Sequence, residues 1–273
     1  MQVFSGLPPG KNNTINFHTM YLEKLFGLKG KVAIVTGGSR GIGQVVAIGL
    51  AKAGAEVAIF SRSEAIETVN TITKDGGKAY SILVDVTDEM GVEAAVHEVM
   101  NRSGSIDIVF SNAGACIHKD TLSASLAEWN EIINVNLTGV YIIARATGKV
   151  MIENGIHGSI INMASMSGNI VNIPQWQASY NASKAGVIHL TRSLAIEWAG
   201  AHIRVNSLSP GYIATPMSVD TPQELKDAWM PLIPLHRMGD PEELMPAVLY
   251  LATNASGYTT GSDVIVDGAY SCL

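Results

Sequence analysis

The chain has 273 residues, with 24 Asp plus Glu against 18 Lys plus Arg, and that acidic balance argues against a nucleic-acid surface while leaving small anionic ligands open. At about 100 to 200 residues per domain the length allows one large core or two, and one is the simpler expectation. Cys116 and Cys272 lie far apart and outside any CxxC or histidine-bearing cluster, the opening residues lack a secretion signal, and no long apolar window is suited to a membrane; a soluble cytoplasmic protein with no bound metal is expected.

Residues 1–28 form an arm that is polar and Gly/Pro-bearing at first and then carries Tyr21, Leu22, Leu25, Phe26 and Leu28. From Lys31, KVAIVTGGSRGIG reads as an apolar strand entering a glycine-rich turn, and residues 42–53 continue at helical spacing. EVAIFSR is a second strand, residues 64–74 a helix, and AYSILVDV a third strand after the Gly76-Gly77 turn. A helix over residues 89–101, strand IDIVFSNAG and one long helix over 126–151 follow. SIINMAS gives strand five, residues 180–198 a helix, and IRVNSLSPG strand six. Five prolines break regularity over residues 216–241, a segment suited to a substrate lid or a subunit contact, before a helix at 243–252 and a last strand in SDVIVDGA. Nearly continuous apolar strands alternating with helices predict an α/β fold in residues 29–273: one doubly wound, seven-stranded parallel sheet with helices on both faces.

In TGGSRGIG, Gly37 allows a sharp exit from the strand, Gly41 a close approach of backbone to ligand, and Gly43 close helix packing, with amides at the helix start facing a pyrophosphate. The second strand ends in Phe60-Ser61-Arg62, without the acidic residue that takes the ribose hydroxyls of NAD. Arg62 and Arg40 instead suit a 2′-phosphate, which favours NADP, although surface arginines are common. Asp85 ends strand three, where its carboxylate can accept from an adenine amine or cap the next turn. Ser111-Asn112-Ala113-Gly114 ends strand four; its small residues let a dinucleotide lie across the sheet edge, and Asn112 can tie neighbouring backbone together. Pro210-Gly211-Tyr212-Ile213-Ala214-Thr215 ends strand six, where Ile213 backbone and the Thr215 hydroxyl or amide can meet a nicotinamide.

Tyr180 and Lys184 are four apart on a helix and therefore share a face. A phenol with an ordinary pKa of about 10 exchanges protons poorly near neutrality, and a neighbouring ammonium favours the phenolate. A serine hydroxyl nearby can hold a carbonyl oxygen as charge develops, and Asn136 in NVNLTG can serve a proton path through a carbonyl or amide.

The combination TGGSRGIG, SNAG, NVNLTG, a strand-five serine, YNASK and SPGYIAT resembles the short-chain dehydrogenase/reductase family over residues 29–268, with its Rossmann-like fold. That resemblance implies Tyr180 as proton donor or acceptor, Lys184 as the residue that lowers its pKa and binds ribose, a serine that steadies the substrate oxygen, and Asn136 in a proton relay. It also implies cofactor contacts from Gly37, Ser39, Arg40, Gly41, Ile42, Gly43, Ser61, Arg62, Asp85, Val86, Asn112, Ala113, Gly114, Tyr180, Lys184, Pro210, Gly211, Ile213 and Thr215. The family's common spacing of 13 residues before the tyrosine selects Ser167, whereas strand alignment selects Ser165; Ser165 is taken, with Ser167 as the alternative.

SMSGNIVNIPQWQASYN, PGYIATPM and YTTGSDVIVDGAY are similar to the fungal and yeast branch of NADP-dependent mannitol dehydrogenases, sorbose reductases and carbonyl reductases. The expectation is NADPH-dependent reduction of a small-molecule ketone or ketose, reversible to alcohol oxidation, by a homotetramer with no nucleic-acid or membrane partner. Ile170, Ile173, Trp176, Met217, Trp229 and Met230 are candidates for an apolar substrate surface, each equally suited to core or subunit contact. A 3-oxoacyl thioester reductase and a non-catalytic nucleotide-binding scaffold are the alternatives; the former asks for basic residues at the mouth, where Lys226, His236 and Arg237 are candidates.

Overall fold

The computed structural model describes residues 17–219 and 221–273; residues 1–16, most of the expected arm, lie outside the described part. The strands are β1 (Val32–Thr36), β2 (Glu56–Ser61), β3 (Lys78–Leu83), β4 (Ile108–Ser111), β5 (Ser159–Met163), β6 (Arg204–Pro210) and β7 (Asp263–Val266). They form one sheet in the order β3-β2-β1-β4-β5-β6-β7, every pair parallel. A strand covered on both faces has no polar side to show, and β1, β4 and β5 are buried at every position.

The helices are α1 (Phe17–Phe26), α2 (Gly41–Lys52), α3 (Ile66–Lys74), α4 (Glu89–Ser103), α5 (Leu126–Ile133), α6 (Gly139–Glu153), α7 (Ala178–Trp198), α8 (Pro216–Val219), α9 (Gln223–Trp229) and α10 (Met245–Ala252). On one face, α2, α3 and α10 bring Val46, Leu50, Ile72, Val248 and Leu251 against the sheet. On the other, α4, α6 and α7 bury Val92, Val96, Ile142, Ile143 and Leu194. This is the doubly wound sheet expected from the alternating pattern. Leu28, at the end of the arm, already belongs to the core, whereas Tyr21 and Leu22 are exposed.

The single helix expected over 126–151 is interrupted. Between α5 and α6, Asn134–Thr138 form a π-helical turn, which adds one residue to the turn and re-aims the fully buried Asn136. The proline-rich segment holds α8, α9 and a short 3₁₀ turn, Met230–Leu232. Its base is pinned because Gly239 N donates to Tyr212 O at 2.9 Å and Ala214 N to Gly239 O at 2.8 Å. Residues between these points form an excursion tied at both ends, at the carboxyl edge of the sheet. No helix among the described residues is long and apolar enough to cross a membrane.

Candidate active site

Strand order reverses at β1, which has β2 on one side and β4 on the other, and a crevice opens there at the carboxyl ends. Gly37 has φ 67, and a Cβ on it would lie 2.9 Å from Asn112 Nδ2; one on Gly43 would lie 2.4 Å from Gly37 O. Asn112 Nδ2 donates to Thr36 O at 3.1 Å, while Asn112 N and Ala113 N both donate to Thr36 Oγ1 at 2.9 Å. Thr36 was not singled out from the sequence; a threonine closing an apolar strand before a glycine turn was the available signal.

Helix α2 begins at Gly41 with Arg40 as its N-cap and no side-chain cap, so its first amides point into the crevice mouth as anion donors. Ser39 belongs to the same turn, and Ile42 packs against the core. Arg40 and Arg62 are exposed and form no salt bridge among the described residues. The Ser61 hydroxyl is spent on Ser63 O at 2.5 Å. Asp85 Oδ1 accepts from Thr87 N at 2.9 Å and Thr87 Oγ1 at 2.7 Å, and these bonds, helped by the Arg62 charge, hold its carboxyl below the usual range. Asp85 therefore caps its turn, with Oδ2 left for a ligand. Val86 is buried against Gly139, where a Cβ would approach it to 2.8 Å.

Across the crevice, Gly211 follows Pro210 so closely beside β7 that a Cβ would sit 2.7 Å from Asp267 Cα. Ile213 is buried, and Thr215 stands opposite Gly41. The Thr215 amide donates to Ser218 Oγ at 2.8 Å, and its hydroxyl accepts from Ser218 N at 3.4 Å. A glycine floor without room for a Cβ at Gly37 and Gly43, a bare helix end and two exposed arginines outside the ion pairs of the described residues together fit a dinucleotide diphosphate carrying one further phosphate.

At the chemical end, α7 begins at Ala178 and places Tyr180 and Lys184 one turn apart. Burial pushes the Tyr180 phenol up to about 12, with hydrogen bonding to the Ser165 hydroxyl acting in the lowering sense. Lys184 is buried, donates from Nζ to Met163 O at 2.8 Å, and lies 5.6 Å from the centre of the Tyr180 ring. Burial brings its ammonium down to about 8. Desolvation is the largest cause of both shifts, and the Cys116 thiol acts on each in the raising sense.

Asn136 Oδ1 accepts from Ala115 N at 2.8 Å, and its Nδ2 donates to Ala115 O at 2.9 Å and Ser183 Oγ at 3.1 Å. Ser183 donates in turn to Tyr180 O at 2.7 Å. The π turn therefore fastens the loop after β4 to the start of α7 and sets Gly114 beside Lys184. Cys116 follows in the same loop, half-buried, with its thiol 3.8 Å from Gln177 Oε1.

The two candidate serines have different surroundings. Ser165 Oγ accepts from Ser167 N at 3.1 Å and acts on the Tyr180 phenol in the lowering sense. Ser167 Oγ instead donates to Asn172 Oδ1 at 2.9 Å and accepts from Gln177 Nε2 at 3.2 Å. Asn172, Gln175 and Gln177 are all buried, and none was selected from the sequence because amides in a proline-bearing loop look solvated. Several expected substrate-surface residues lie elsewhere: Trp229 is buried against Tyr212, with ring centres 4.1 Å apart, and Ile170 and Met230 pack around Met166, Ile233 and Tyr270. Ile173 and Trp176 are exposed, and the side chain of Met217 lies outside the described part. Among the described residues, no group of three or more His, Cys, Asp or Glu is placed to hold a metal.

A family model described as Enoyl-(Acyl carrier protein) reductase matches residues 37–271. The chain is 46% identical over 253 residues to a probable NADP-dependent mannitol dehydrogenase of Yarrowia lipolytica, covering 90% of each. It is 46% identical over 252 residues to a sorbose reductase of Candida albicans, covering 91% of this chain and 89% of that protein. Among solved structures, a short-chain type dehydrogenase/reductase from Mycobacterium marinum superposes with a TM-score of 0.89 at 45% identity, over 92% of this chain and 99% of the other.

Burial raises the Cys116 thiol to about 11, with the Lys184 charge opposing, whereas Cys272 is exposed. At pH 7.5 iodoacetamide should therefore alkylate Cys272 at least about tenfold faster than Cys116, because the thiolate is the reacting form. Peptide mass spectrometry over a time course reads this, and equal rates would contradict the placement of Cys116.

Proposed function

Because this chain belongs to the short-chain dehydrogenase/reductase family, we propose that it reduces a ketone or ketose to the secondary alcohol with NADPH, reversibly, using Tyr180, Ser165, Lys184 and Asn136. The observation that carries this reading is the buried Lys184, anchored to Met163 O at the end of β5, with its Nζ 5.6 Å from the centre of the Tyr180 ring one turn earlier on α7. When bound, the dinucleotide supplies the hydride; the chain holds the substrate and moves the proton. Ser165 Oγ accepts from Ser167 N, which holds the hydroxyl in place and leaves its proton to donate to the substrate oxygen. Tyr180, raised to about 12, is fully protonated at neutral pH and donates to that oxygen. Lys184, lowered to about 8, is the stronger acid of the pair, so reprotonation of the phenolate from the lysine runs downhill. Asn136 places its main chain beside this pair and fixes the loop around it.

NADP use is supported by Arg40 and Arg62 at the ribose end of the crevice and by the NADP-dependent relative. A ketose or related ketone is supported by the names of the mannitol and sorbose relatives. The thioester alternative loses support because Arg237, one of the basic groups it would use, is held by Glu243 through bonds of 2.6 and 2.7 Å. In this reading residues 29–273 act as one catalytic domain, with residues 216–241 as the lid. A homotetramer is supported by two exposed apolar areas: Trp129 and Tyr141 on α5 and α6, and Ile265 on the edge strand β7. Two free cysteines agree with a reducing cytoplasm.

A ketone and ketose panel assayed with NADPH and NADH in parallel tests the activity. Tyr180→Phe should lower kcat by at least about a thousandfold while NADPH still binds, and Ser165→Ala should cost about a hundredfold or more against tenfold or less for Ser167→Ala. The opposite serine ranking would transfer the role to Ser167, and unchanged turnover in Tyr180→Phe would end the catalytic reading. Replacing Arg40 and Arg62 by Ala should raise KM for NADPH by about ten- to a hundredfold and leave NADH unaffected; equal losses with both cofactors would refute the phosphate assignment. Light scattering should give four times the 28.9 kDa subunit mass, and a monomer would remove the tetramer.

A further inference from the structure

The lid helix α9 has only seven residues and no side-chain N-cap, so little in its own sequence holds it in place. Its last residue, Trp229, is nevertheless 3% exposed, lies flat on Tyr212 at an interplanar angle of 14°, and donates its indole N–H to Gln175 Oε1 at 2.8 Å. An indole nitrogen can only donate, so the carbonyl end of Gln175 must face it and the amide end must face away. That amide end donates to Tyr212 Oη at 2.8 Å, and Asn172 Nδ2 donates to the same oxygen at 3.2 Å. Asn172 Oδ1 is thereby turned to the Ser167 hydroxyl at 2.9 Å, whose backbone N–H holds Ser165 Oγ at 3.1 Å.

We propose that this line from Trp229 through Gln175, Tyr212, Asn172 and Ser167 positions the Ser165 hydroxyl according to the seating of the lid. Gln175 is its central positioning residue, because it touches both the lid and the Tyr212 phenol without reaching the reacting atoms. The inference rests on the reading of Ser165 as the group that holds the substrate oxygen. The indole fixes the sense of Gln175, whereas Tyr212 can donate as well as accept and Asn172 Oδ1 also accepts from Gln177 Nε2 at 3.1 Å, so a lid that lifts Trp229 frees Gln175 and removes one of the two holds on the Asn172 orientation that ends at Ser167. Ser167 thereby has a role of its own beside Ser165, and the buried Trp229 belongs to the seat of the lid.

A double-mutant cycle tests the coupling. Trp229→Phe keeps a ring on Tyr212 and removes the N–H; Ser167→Ala removes the hydroxyl and keeps the amide that holds Ser165. Each should lower kcat about five- to tenfold with the Kd for NADPH within about twofold of the parent, and the double variant should fall less than about twofold below the worse single one. Losses that multiply would overturn the proposal, as would a parallel weakening of NADPH binding, which marks general loosening. If Trp229→Phe fails to fold, Gln175→Met takes its place under the same criteria. Tyr180→Phe measured alongside separates the two levels: turnover retained there refutes the catalytic reading itself, whereas turnover lost there together with multiplying losses refutes only the coupling.

Discussion

Where β1 and β4 lie side by side, the Thr36 hydroxyl accepts two backbone amides from the chain leaving β4, and Asn112 returns a side-chain bond to Thr36 O. This join sits where the chain has run to one edge of the sheet and resumes toward the other, so the two halves of the domain are registered through it. The glycine turn rests directly on Asn112, and the loop that continues from it reaches Asn136 and then Ser183 on α7. The crevice that fits a dinucleotide and the helix carrying Tyr180 are thus set relative to one another by a few saturated polar bonds. Apolar packing alone has no such directionality.

Burial governs the acid–base character of the site. With both Tyr180 and Lys184 withdrawn from water, the neutral form of each is favoured, and the phenol at about 12 and the ammonium at about 8 move past their ordinary order. In the proposed reaction the lysine serves as the proton source that restores the phenol. Its short bond to Met163 O keeps it at the end of β5, below the tyrosine.

The sheet was legible because strands such as VAIVT and SIINM are covered on both faces and advertise this as unbroken apolar runs. The glycine turn and the Tyr180–Lys184 spacing were legible because backbone conformation and helix periodicity allow few substitutes. The π turn at NVNLT was not, since its cause is a tertiary demand on Asn136 and no proline or glycine marks it. The place of Trp229 was left open between substrate surface, core and subunit contact, because the buried acceptor of its N–H lies 54 residues away in sequence. The amides of Asn172, Gln175 and Gln177 are polar in composition and buried in fact, a combination made affordable by bonds within their own loop and, for Asn172 and Gln175, by the distant Tyr212 and Trp229. Serine register was open for the same reason, because strand alignment and family spacing cannot reveal which hydroxyl is already engaged.

The bare amino end of α2 ties the lifetime of the protein to its supply of ligand. A helix that starts without a side-chain cap is completed by whatever anion reaches it, and in the proposed enzyme the dinucleotide would carry that anion. Free dinucleotide at a hundred times its Kd would add about 2.7 kcal/mol to the folded state. Newly made chains that load promptly would escape proteolysis more often than chains that wait, so the amount of enzyme in a cell would follow the NADP pool even at a constant rate of synthesis.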